Sequence, residues 1–159
     1  MLQVLYAFMT VAVATQNPVW HDIPSVVICP TSSVTVERAE KAVKYWKKLG
    51  HAIGPVRKVR AGYMPCVSGD PYTGTIVIDI PSSGFNFGQQ LGVTSTTYDA
   101  FTLEIYHAKI EIADNWANTE RLLEHELGHA LGFRDNNTSG HIMNREWASG
   151  GHDSKGLEK

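Results

Sequence analysis

The chain has 159 residues, 43% of them apolar, so it is expected to form one domain spanning 1–159 with enough patterned sequence to build a core. Basic residues number 14 and acidic ones 16, a formal net charge of -2, which gives no electrostatic basis for nucleic acid or an anionic membrane as the main partner. The densest basic stretch, KYWKKLG with RKVR shortly after, reads as a solvated helix face and a strand rim.

The chain opens on MLQVLYAFMTVAVATQ, whose apolar run from Val4 to Ala14 is too short to span a bilayer as a helix. Ala12-Val13-Ala14 is similar to a signal-peptidase site, yet nothing basic precedes the run. An export signal and an N-terminal strand both fit it. IPSVVICP then reads as a short buried strand, and SSVTVERAEKAVKYWKKLG as an amphipathic helix. Val36, Ala39, Val43, Trp46 and Leu49 recur at helical spacing; Thr35 can cap the start, Glu37 suits the first turn and Lys47 and Lys48 the last, and Gly50 ends it.

GPVRKVRAG is a second strand candidate, followed by the turn-rich MPCVSGDPYTG. TIVIDI is a strong third strand closed by Pro81, and SSGFNFGQQLG a glycine-punctuated loop. VTSTTY favours an exposed strand, and FTLEIYHAKIEI carries the longest strand signal in the chain. NTERLLEHELGHAL is helical, with Thr119 as a cap. The order strand, helix, four strands, helix predicts an α/β arrangement: a mixed, twisted five-stranded sheet packed with two long helices. Cys29 and Cys66 each follow a strand-like run, so they can meet at one sheet edge; a disulfide and two buried thiols are both compatible with the sequence.

The chemistry concentrates in HELGHALGFRDN, His125 to Asn136. A helix places His125 and His129 on one face, one turn apart, with Glu126 beside the first. This is the HExxH arrangement, in which two histidines bind zinc and the glutamate serves as general base. Leu122, Leu123, Leu127 and Leu131 supply the back of the helix, and Gly132 permits a sharp exit that can return Asp135 to the metal. Three protein ligands plus water is the composition of a catalytic zinc site. Asp135 also has a second reading, as a loop residue capping its own turn in RDNNTSG. In that case His141 is the next third ligand and Glu146 a more distant one. His21, His51, His107 and His152 read as surface or strand histidines.

HELGHALGFRD resembles the extended motif of the metzincin zinc endopeptidases, HExxHxxGxxH, in the snapalysin-like form that ends in aspartate. The resemblance assigns His125, His129 and Asp135 to zinc and Glu126 to catalysis. It also places Met143, in SGHIMN, in a turn beneath the metal, and makes DSKGLEK the start of a short C-terminal helix like that of matrixin-type domains. Two departures accompany it. Aspartate is the minority third ligand of the clan, and Arg145 stands where astacins and serralysins carry a tyrosine. The expected function is hydrolysis of internal peptide bonds by a secreted monomer, with a protein or peptide substrate extended along the edge strand around VTSTTY. The rivals are a zinc-containing peptide-binding module without turnover and a protein in which zinc only stabilises the fold.

Overall fold

The computed structural model describes residues 16–67, 74–81 and 91–159. The apolar N-terminal run and most of the SSGFNFGQQLG loop lie outside them. In chain order the elements are β1 (Val19–Trp20), β2 (Ser25–Ile28), α1 (Val36–Lys48), β3 (Val56–Lys58), α2 (Met64–Val67), β4 (Thr75–Asp79), β5 (Gly92–Tyr98), β6 (Glu104–Ile112) and α3 (Leu122–Ala130), with single 3-10 turns at Asp114–Trp116 and Trp147–Ser149.

The sheet is mostly parallel. β3, β2, β4 and β6 lie side by side in parallel, and β5 adds antiparallel to β6. Ile105 of β6 pairs with Trp20 of β1 and with Tyr98 of β5, so β1 and β5 sit on opposite edges of β6. The described residues thus form six strands rather than five. The extra one, β1, has two residues, too few for any periodicity to show. It is fixed by tertiary contacts: the Trp20 indole N–H donates to the Ala130 carbonyl at 2.8 Å.

Parallel strands are covered on both faces and read as continuous apolar runs, as Val26, Val27 and Ile28 and Ile76, Val77 and Ile78 do, all fully buried. Alternate residues of three strands (Val26, Ile28, Ile76, Ile78, Ala108, Ile110, Ile112) form one core with Ala39, Ala42, Val43 and Trp46 of α1 and Leu122, Leu123, Leu127 and Ala130 of α3. Both helices therefore pack on the same face. Each fully buried isoleucine or leucine there contributes about 1.5–3 kcal/mol.

α1 ends as its sequence demands. Thr35 Oγ1 accepts from the Arg38 N–H at 3.1 Å, Glu37 and the Lys47, Lys48 pair complement the helix dipole, and Gly50 leaves the helix at φ +93°. α3 departs from expectation at its start. Thr119 does not cap it; the helix begins at Leu122, after Arg121 in the left-handed region at φ +68°. The reason is tertiary. The Thr119 carbonyl accepts from the Arg38 guanidinium, and the Arg121 guanidinium lies 4.5 Å above the Trp147 ring.

Two loops also differ. The first residues of the turn-rich stretch close into the single helical turn α2, which carries Cys66, and Cys29 follows β2; the two form a disulfide with Cα atoms 5.7 Å apart. Linking residues 37 apart in sequence is worth about 4 kcal/mol in the chain-entropy account. DSKGLEK, expected to start a helix, forms none. Its backbone is paired laterally instead: Asp153 O accepts from Ile142 N–H, Leu157 O from the His51 ring, and Lys159 N–H donates to Leu49 O, while Leu157 is buried. Those contacts take the groups a helix would have used.

Candidate metal centre

α3 carries both histidines of the motif. His125 Nδ1 lies 2.8 Å from the Ile142 carbonyl and His129 Nδ1 2.9 Å from the Phe133 carbonyl. A carbonyl only accepts, so each Nδ1 donates, and in the neutral ring each Nε2 keeps its lone pair for a metal. Those two nitrogens face each other at 3.1 Å. Gly132 leaves the helix at φ +99°, and a side chain there would put its Cβ 2.0 Å from the Pro18 carbonyl oxygen. The chain then doubles back, bringing Asp135 Oδ1 to 3.2 Å from His129 Nε2 and 3.5 Å from His125 Nε2.

Three acceptor atoms aimed at one point repel one another unless a cation lies between them. Their separations of 3.1, 3.2 and 3.5 Å are within a few tenths of an ångström of the roughly 3.3–3.6 Å between tetrahedral ligands bound at about 2.0–2.2 Å. His125, His129 and Asp135 can therefore hold a metal ion, and among the described residues no other His, Cys, Asp or Glu group of three can.

The return loop is held rigidly. Asn136 N–H donates to Met143 O at 2.8 Å, and Arg145 N–H to Asn136 O at 3.1 Å. His141, the alternative third ligand, is part of this scaffold. It is buried, its Nδ1 accepts from the Met143 N–H at 3.0 Å and from Asn136 Nδ2 at 2.8 Å, and its Nε2 therefore donates to the Lys155 carbonyl. Glu146 is exposed on the far wall of the cleft, outside the triad.

Met143 is fully buried beneath α3. A Cβ on Gly128, between the two histidines, would lie 2.3 Å from Met143 Sδ and 2.7 Å from Trp46 Cζ2. Trp46 has little freedom to give way, because its indole N–H donates to Glu124 O at 2.8 Å and its ring stacks on Phe133 at 5.3 Å. Glycine at this x of HExxH is thus a packing requirement. Gly128→Ala is expected to cost about 1–3 kcal/mol of stability by overpacking, read as a lower urea midpoint.

The triad opens on a cleft of about 990 Å³, walled by β5 on one side and by Asn144 to Ala148 on the other. Glu126 lines it, only 4% exposed. Burial pushes its carboxyl above the usual range, opposed in part by the hydrogen bond from the Thr94 hydroxyl. Thr94 Oγ1 donates to Glu126 Oε2 at 2.5 Å, and Thr96 Oγ1 to the His129 carbonyl at 3.3 Å. Among the described residues β5 pairs with β6 alone, and its residues line the cleft.

The sequence singled out His125, Glu126, His129 and Asp135, and the structure brings all four together. It did not single out the carbonyls of Ile142 and Phe133 or the hydroxyl of Thr94; the alternation of small residues in GVTSTTY, facing a helix, was the one signal for the last. No protein-family model matches the chain, and no curated protein matches it.

Proposed function

We propose that the chain is a secreted zinc-dependent endopeptidase of metzincin type, with His125, His129 and Asp135 as the zinc ligands and Glu126 as the general base. One observation carries this reading: three ligand atoms converge beside a buried carboxylate in an open cleft, with no fourth protein ligand among the described residues. Two imidazoles and a carboxylate suit zinc, and three protein ligands leave a position for water. Zinc, when bound, supplies the Lewis acidity that lowers the pKa of water and polarises the scissile carbonyl.

The chain's own residues supply the rest. Ile142 and Phe133 hold the imidazoles in the ligating tautomer through their Nδ1–H groups. Glu126 takes the proton of the attacking water and delivers it to the leaving amine. The outer edge of β5 accepts an extended peptide as an added strand, and the wall from Asn144 to Ala148 bounds the residues after the cleaved bond. The Cys29–Cys66 disulfide supports an oxidising compartment and hence export. A net charge of -2 favours a protein or peptide over nucleic acid as partner. Among the described residues no helix is long and apolar enough to cross a membrane.

A chelator is expected to abolish cleavage of an unfolded protein, and stoichiometric zinc to restore it. Absence of cleavage of a diverse peptide library at full zinc occupancy would overturn the reading in favour of a binding module.

A further inference from the structure

We infer that Thr94, on the edge strand, is a positioning residue that holds the carboxylate of Glu126 in its working orientation; the inference deepens the proteolytic reading above and rests on it for the word working. Alternate residues of a strand share a face, and on β5 Gly92, Thr94 and Thr96 all turn towards α3. Each meets the catalytic helix. A Cβ on Gly92 would lie 2.9 Å from Glu126 Oε1, Thr94 Oγ1 lies 2.5 Å from Glu126 Oε2 and 3.1 Å from the Glu126 carbonyl, and Thr96 Oγ1 bonds the His129 carbonyl.

A glutamate side chain has three rotatable bonds, and this one lines the open cleft. Two constraints hold it in place. The absent side chain of Gly92 leaves room for Oε1, and the Thr94 hydroxyl anchors Oε2. Threonine suits the second task because its β-branch restricts χ1, so the donor itself is fixed. With Oε2 engaged, Oε1 takes no hydrogen bond from the described residues and is the oxygen left for a water proton. The same strand presents its outer edge to the proposed substrate. Strand and base are thereby held in one register, and a peptide seated on β5 meets a carboxylate already aimed.

Three variants test this: Thr94→Val, which keeps the shape and removes the donor; Thr94→Ser, which keeps the donor; and Thr94→Val combined with Glu126→Gln. Each is loaded with zinc and assayed on an unfolded protein over a range of concentrations. For Thr94→Val, kcat is expected to fall about ten- to hundredfold, as for other losses of alignment, with KM and zinc content unchanged. Thr94→Ser is expected to stay close to the parent, and the double variant to lose nothing beyond Glu126→Gln alone. A parent-like rate in Thr94→Val, an equal loss in Thr94→Ser, or an added loss in the double variant would overturn the inference.

Crystal structures of the zinc-loaded parent and Thr94→Val give a readout independent of turnover. The Glu126 carboxylate is expected to leave its place only in Thr94→Val. If it stays, Thr94 does not position it, whatever the rates. If it moves and the parent has no hydrolytic activity, the positioning stands and the proteolytic reading fails.

Discussion

Glu126→Gln is expected to leave fold and zinc content unchanged while hydrolysis of an unfolded protein falls by about two to four orders of magnitude, the usual worth of general acid–base help. The substitution is nearly isosteric. The amide oxygen can still accept from the Thr94 hydroxyl that now bonds Oε2, so the side chain keeps its anchor. The ligands are untouched, since His125 and His129 are held through Nδ1 by carbonyls of Ile142 and Phe133, with no contribution from residue 126. What disappears is the ability to accept a proton from water at neutral pH. A peptide-binding module would bind equally well in both forms and cleave in neither. Equal cleavage by rigorously purified parent and variant would show that the base lies elsewhere.

The largest effect on stability is expected at Arg38, far from the motif in sequence. Its guanidinium forms a fork with Glu124, Nη1 to Oε1 at 2.9 Å and Nη2 to Oε2 at 2.5 Å, and both side chains are nearly buried, at 11% and 6% exposure. It also donates to the Thr119 carbonyl. The pair ties α1 to the residue immediately before His125. Arg38→Met strands the Glu124 carboxylate in a dry site, and unfolding stability is expected to drop by about 3–5 kcal/mol in urea titrations. Arg38→Met with Glu124→Leu removes both charges and is expected to recover most of that loss, because the cost lies in the unpaired charge. A double variant as unstable as the single one would mean that the carbonyl of Thr119 and the packing, not the charge, set the cost.

The parts of this protein that could be read from sequence are those governed by local rules. Thr35, Glu37 and Gly50 mark the ends of α1 because caps and dipoles act within one turn. TIVID declares a buried parallel strand by composition. His125, Glu126, His129 and Asp135 are legible because a helix and one glycine turn bring them together without help from distant residues. The failures have the opposite character. The Thr119 cap lost to Arg121 because Arg38 and Trp147, remote in sequence, claim the groups around the start of α3. The closing segment forgoes a helix to pair with Ile142, His51 and Leu49. Whether Cys29 and Cys66 join stayed open in the sequence, because it depends on where the single turn α2 places Cys66 relative to the end of β2, which no spacing rule encodes.

X-ray absorption together with a zinc-edge anomalous crystal structure of the loaded protein decides whether the proposed zinc centre has three protein ligands and an open position. The expected result is one zinc per chain, bound by His125 Nε2, His129 Nε2 and a carboxylate oxygen of Asp135 at about 2.0–2.2 Å, with solvent completing the tetrahedron. Asp135 turned away to solvent, or a fourth protein side chain closing the site, would contradict it.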